Sequence, residues 1–328
     1  MASLKRILNK HMKKYFSILS LLLHFIPQAQ AGGDKITPAL QQQYLLHINK
    51  AKLYAKDSLY QKACNEYELA FSIRKDYPIL FECAKLYDWL NNTEQTIKYL
   101  RLSIEAGCDW YNDDTTLLPN FRKSGKFLTS AQQEAAKHVF YEKLNMDYFL
   151  ELEKMEAEDQ VIRNIKRADY AQITDTEAEN KLMDIVDSTH MVDLKKLIKK
   201  YGYPQYTTVG YKGETDVFIL LLHGLFDSVN DSLDWLYFQP IILKEVKEGR
   251  LMPDHYALLY DRVISKYGEQ KQCYGTQLGI GPFGRFTLFG EIYDIENVDV
   301  RRKEIGLPTL EDQFKLSGME LPKGYVRK

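Results

Sequence analysis

Seven histidines and four cysteines are the side chains of this sequence most able to carry acid–base, nucleophilic or metal chemistry. Their spacing specifies no single reaction. His190, His223 and His255 lack the short intervals by which ligands converge on one ion, so no metal centre is expected. The cysteines form no C-x-x-C pair, which gives neither a zinc site nor a disulfide scaffold. Residues 279–284 read Gly-Ile-Gly-Pro-Phe-Gly and satisfy G-x-G-x-x-G letter by letter. A dinucleotide loop must lead from a buried strand into a helix whose first turn holds the pyrophosphate. Pro282 and the strand-like residues after it deny that helix, so no nucleotide cofactor, and no cofactor of any other kind, is expected. Residues 220–224, Leu-Leu-Leu-His-Gly, carry the His-Gly of an oxyanion strand, but an α/β-hydrolase also needs the nucleophile elbow G-x-S-x-G. The nearest glycine spacing, Gly275 to Gly279, encloses Gln277, which is no nucleophile. A Walker loop and H-E-x-x-H are missing too.

The elements that must position any such chemistry begin with an address. Residues 1–15 are basic, 16–26 are apolar, and Gln28, Ala29, Gln30 and Ala31 end the run in A-x-A form. That is the build of a secretory signal peptide, too short to span as a stable helix. Cleavage after Ala31, or from a start at Met12, would leave a periplasmic or secreted chain with no membrane span. Lys5, Arg6, Lys10, Lys13 and Lys14 are five of the 44 basic residues; without residues 1–31 the chain carries 39 bases against 45 acids, net -6. A mildly acidic body argues against electrostatic binding to nucleic acid.

The next stretch repeats itself. Ala-Lys-Leu-Tyr occurs at 51–54 and again at 84–87, and the same offset pairs Ala63 with Thr96, Tyr67 with Leu100 and Ala70 with Ser103. Small residues at close helix contacts and large ones between them predict four helices over 38–72 and 78–106, with 109–127 as an irregular cap. The pattern resembles the tetratricopeptide repeat. Two copies are fewer than such an array needs to bury a continuous core, so this one must lean on a neighbour. The resemblance implies either a surface for a protein or peptide partner or a spacer. Cys64 and Cys83 fall on helices that should touch, as a disulfide or as small buried thiols.

From 130 onward the period is again helical: Phe140, Leu144, Tyr148 and Leu152 recur every four residues, and Gly202 to Pro204 break the run. Residues 217–222 are apolar throughout, and the acids Glu214 and Asp216 before them favour a helix. Residues 231–248 and 253–267 read as two more. Then 273–278 and 286–292, separated by glycines, predict one β-hairpin before a short helix from Asp299. The fold expected is mainly α: tetratricopeptide-like repeats, then from 130 to 328 a helical domain with one small hairpin.

A string of short motifs in this second half resembles the bacterial family called domain of unknown function 6624. The carriers are Asp159-Gln160 with Arg163, residues 201–204 (Tyr-Gly-Tyr-Pro) with Val209-Gly210, His223, residues 261–263 (Asp-Arg-Val), Gln272 with 274–277 (Tyr-Gly-Thr-Gln), Ile292 with Asp294, Val298-Asp299, Arg301-Arg302 and Gly306-Leu307. Where the family tends to read Gln-His-Ala-Asp, this chain has Leu222-His223-Gly224-Leu225; it keeps the histidine alone, with Asp227 the nearest substitute carboxylate. The resemblance implies a fold and a surface, and no reaction.

Read as chemistry, those residues divide two ways. Asp261, Arg262, Gln272, Tyr274, Thr276, Gln277, Arg301 and Arg302, with His223, are the candidate ligand-binding residues. In one reading Arg262 with Arg301 or Arg302 clamps a carboxylate or phosphate, Tyr274 and Gln277 orient it, and His223 carries a proton. In the other, the same groups are buried bonds that lock hairpin to helices. The expected function is an exported interaction or ligand-binding protein; the alternative is a hydrolase or other enzyme of unrecognised chemistry centred on His223.

Overall fold

A computed structural model describes residues 36–108, 118–125, 128–168, 176–227, 231–267, 271–280 and 286–327. The leader expected at 1–31, most of the cap at 109–127 and the tip of the glycine-rich turn lie outside the described residues. Among the described residues the chain is mainly α, with thirteen α-helices and two sheets of two strands each. No helix among them is long and apolar enough to cross a membrane.

Helices α1 (Pro38–Lys56), α2 (Tyr60–Ile73), α3 (Tyr77–Trp89) and α4 (Thr93–Glu105) pack in sequence. The Thr37 hydroxyl starts α1 by accepting the Leu40 N–H at 3.3 Å, and Asn92 starts α4 by accepting from Gln95 at 3.2 Å. Ala51, Ala63, Ala70 and Ala84 are fully buried, as are Thr96 and Ser103, the polar residues that stand 33 positions after Ala63 and Ala70. These two turn their hydroxyls onto their own helix, at Asn92 O (2.9 Å) and Leu100 O (2.7 Å), and so pack like small apolar groups. Tyr87 and Tyr99 stack and both donate to Glu68. Cys64 and Cys83 are free, buried thiols, and burial pushes the Cys64 thiol up to about 12.

Helices α5 (Pro119–Lys123) and α6 (Ser130–Tyr141) pack on α4, and the second half follows as α7 (Met146–Ala168), α8 (Thr176–Tyr201), α9 (Tyr206–Asp227), α10 (Asp231–Lys247) and α11 (Pro253–Tyr267). Its core joins Tyr148, Leu152, Met191, Leu194, Leu221 and Phe238. The apolar run 217–222 lies inside α9. That helix bends at Gly210, whose φ of 71° and ψ of 169° are open to glycine alone. The bend lets the Phe140 ring lie over Gly210, where a Cβ would stand 2.6 Å from it.

The single hairpin expected over 273–292 is a different arrangement. Strands β1 (Lys271–Gln272) and β4 (Glu291–Ile292) pair in parallel, while β2 (Leu278–Ile280) and β3 (Phe286–Leu288) form a shorter antiparallel hairpin between them. Residues 273–277 are not a strand, because the N–H groups of Cys273, Tyr274 and Thr276 bond to Asp261 of α11 instead of a ladder. Helices α12 (Val298–Glu304) and α13 (Leu310–Ser317) close the fold.

The first four helices dock on this second half through polar as well as apolar contacts. Gln41 donates to Leu251 O at 2.9 Å and Gln42 to Leu307 O at 3.0 Å. The entering segment crosses two positive-φ glycines: a Cβ at Gly249 would collide with Ile36 O, and one at Gly306 would lie 2.8 Å from Pro38 O. Deeper in, Arg74 reaches Asp76 at 2.9 Å and Glu214 at 3.0 Å, and its guanidinium lies 4.4 Å from the Tyr206 ring centre. Burial raises the Glu214 carboxyl above the usual carboxylate range against the pull of Arg74. Breaking such a cluster on one side costs about 3–5 kcal/mol.

Candidate functional site

Seven of the nine candidate residues meet in one loop. Asp261, on α11 and fully buried, accepts N–H groups from Cys273 (2.6 Å), Tyr274 (2.9 Å) and Thr276 (2.9 Å), and the Thr276 hydroxyl at 2.8 Å. Burial pushes its carboxyl above the ordinary range while these donors pull the other way. Gln272 closes the turn on itself, accepting the Gln277 N–H at 2.6 Å and donating to Gln277 O at 3.0 Å. Gln277 spends its own amide on Leu258 O of α11 at 2.9 Å. Arg302, 1% exposed, bonds through all three guanidinium nitrogens, to Pro308 O, Tyr274 O and Gln313 Oε1 at 2.6–2.7 Å. Its burial lowers the guanidinium to about 10. Arg301 holds the carbonyls of Cys273, Tyr293 and Asp294. Tyr274 is buried with its ring edge against Tyr256 and Tyr260. Arg262 sits half-buried beside Asp261 on α11. The loop spends its polar groups on itself and on α11–α13, and buried polar groups so satisfied rigidify a fold.

His223 has its partners elsewhere. Glycine at 224 lets α9 lie against Met191 of α8, whose side chain would be 2.7 Å from a Cβ there. On the seam between α7 and α9, His223 Nδ1 lies 3.1 and 3.0 Å from the two oxygens of Asp159. The Asp159 carboxylate, fully buried, also accepts from Gln160 at 2.9 Å and from Arg163. Arg163 continues to Asp187 of α8, at 2.9 Å. The imidazole is 20% exposed, and its Nε2 has no hydrogen-bond partner among the described residues. In the neutral ring a donor bond from Nδ1 to a carboxylate places the single proton on Nδ1 and leaves Nε2 as the acceptor.

Further along the same seam lie Glu156, Glu153, Lys212 and Asp216. Lys212 reaches Glu153 at 3.2 Å and Asp216 at 3.1 Å. Burial, opposed by Lys212, raises the Asp216 carboxyl to about 7. Among the described residues no group of three His, Cys, Asp or Glu side chains is placed to hold a metal ion.

Spacing pointed to part of this seam. Asp159 and Arg163, four residues apart, share one face of a helix, and both belong to the motif string; Asp187 carried no signal at all. The Asp227 side chain, offered as a substitute carboxylate for His223, lies outside the described residues. The carboxylate at His223 is Asp159.

No curated protein and no solved structure matches the chain. Residues 146–321, which contain both the seam and the locked loop, match the family of unknown function DUF6624. That match spans more than half of the sequence, and the protein is a member of the DUF6624 family.

Proposed function

We propose that this protein is exported and binds a small ligand on the α7–α9 seam, with His223 Nε2 as the group presented to it. The observation that carries the reading is the contrast inside His223: Nδ1 is held by a buried carboxylate, while the ring is partly exposed and Nε2 has no hydrogen-bond partner among the described residues. A ring oriented in this way accepts a hydrogen bond from a ligand, or takes its proton, without first reorganising. The basic, apolar and A-x-A order of residues 1–31 supports export. The tetratricopeptide-like half serves as a buttress, since α1 lies against α12 and α13; a protein partner is left the exposed turn end around Trp89 and Leu90.

The test is a ligand screen by thermal shift on residues 32–328, comparing wild type with His223→Gln. Ligands that raise the wild-type melting temperature are expected to lose that effect in the variant, with the ligand-free melting temperature nearly unchanged. Equal responses in both proteins would overturn the reading. Turnover of a hit, abolished by His223→Gln, would move it to the enzyme alternative. N-terminal sequencing of the mature chain is expected to begin at Gly32.

A further inference from the structure

The charge along the seam narrows what His223 can meet. Two ion clusters lie along the seam, and in each one cation is shared between two acids. Arg163 serves Asp159 and Asp187; Lys212 serves Glu153 and Asp216. Between the clusters, three residues from Glu153 and three from Asp159 on α7, stands Glu156. It is half-buried and has no hydrogen-bond or ion-pair partner among the described residues. Lys212, Asp216 and His223 run along one stripe of α9 at intervals of four and seven, so the partnerless carboxylate and the partnerless imidazole nitrogen belong to facing sides of the same seam. The fields of Lys212, Asp159, Glu153 and His223 all reach Glu156. An unpaired, half-desolvated carboxylate costs free energy that a matching cation recovers.

We propose that the ligand of this seam carries a protonated amine or guanidinium group, which donates one hydrogen bond to Glu156 and another to His223 Nε2. This deepens the reading of His223 as the ligand-facing group and rests on it. An anionic ligand is disfavoured by the same geometry: it would meet Glu156 without a donor and an imidazole whose outward nitrogen accepts. Glu156 supplies the charge that draws a cation to the seam, and together with His223 gives it direction.

The experiment follows the ring signal of His223, assigned by its loss in His223→Gln, during titration with butylguanidinium, butylammonium and butyrate. Both cations are expected to shift the signal and to bind at least tenfold more tightly than butyrate. Glu156→Gln, which keeps shape and removes charge, is expected to cut that preference about tenfold. Selectivity in the wild-type protein decides the charge class even if the variant does not fold. Butyrate binding as tightly as the cations overturns the cation proposal while leaving His223 as a ligand site. No shift with any of the three, or cation-induced thermal shifts unchanged in His223→Gln, overturns the proposal together with the site reading beneath it.

Discussion

The Asp261 loop and the His223 seam are both polar, both inside the family match and both built around a fully buried aspartate. They differ in what is left over. Asp261 faces four donors from the chain segment it organises, and Arg302 beside it has a bond on every nitrogen. Asp159 has three donors, Gln160, Arg163 and His223, but the last is a ring whose far side is unused, and its neighbour Glu156 has no partner among the described residues. A saturated buried network holds a fold. One that ends at a partly exposed, unpaired group has capacity left for a ligand.

The comparison breaks most visibly at Asp261. Replacing it with alanine strands the buried N–H groups of Cys273, Tyr274 and Thr276, and is expected to cost about 3–5 kcal/mol in urea denaturation. A loss under 1 kcal/mol would deny the loop its locking role.

The next effect is in pH. Asp216 on the seam side holds its proton to about pH 7, whereas an unfolded aspartate releases it near the ordinary value of 3.8. A raised acid stabilises the folded state while protonated, so its contribution is full below the unfolded value and is lost as pH rises toward 7. Between pH 5 and 8 the wild type is expected to lose roughly 2–3 kcal/mol more than Asp216→Asn. Parallel stability profiles of the two proteins would remove Asp216 as the source.

The smallest effect is at His223 itself. His223→Gln keeps a donor toward Asp159 and is expected to change stability by less than about 1 kcal/mol, because the ring is partly exposed and Asp159 retains Arg163 and Gln160. A loss as large as that of Asp261→Ala would put the seam in the same class as the loop.

Local patterns carried the helices well and the site poorly, for a physical reason. The repeated Ala-Lys-Leu-Tyr marks α1 and α3 because small residues must sit where helices touch, and acids before 217–222 suit the helix found there. Residues 273–277 alternate like a strand, yet the N–H groups of Cys273, Tyr274 and Thr276 bond to Asp261, 12 to 15 residues upstream on a helix, a tertiary capture that no alternation reveals. Arg301 and Arg302 look like one cationic pair in sequence. About 100° apart around α12, they serve different carbonyls. His223 was placed in one cluster with Gln277, whereas its carboxylate is 64 residues away on α7.

The crossing of residues 36–38 over Gly249 and Gly306 sets an order of events. Gln41 and Gln42 close contacts over 210 and 265 residues of chain, so α1 finds its seat only after Leu251 and Leu307 have been made. Loop closure over such distances is slow, and until then α1 holds its docking face in solvent. The first four described helices are thus seated late, and the exposure of α1 to proteases and chaperones is timed by the arrival of Gly249 and Gly306.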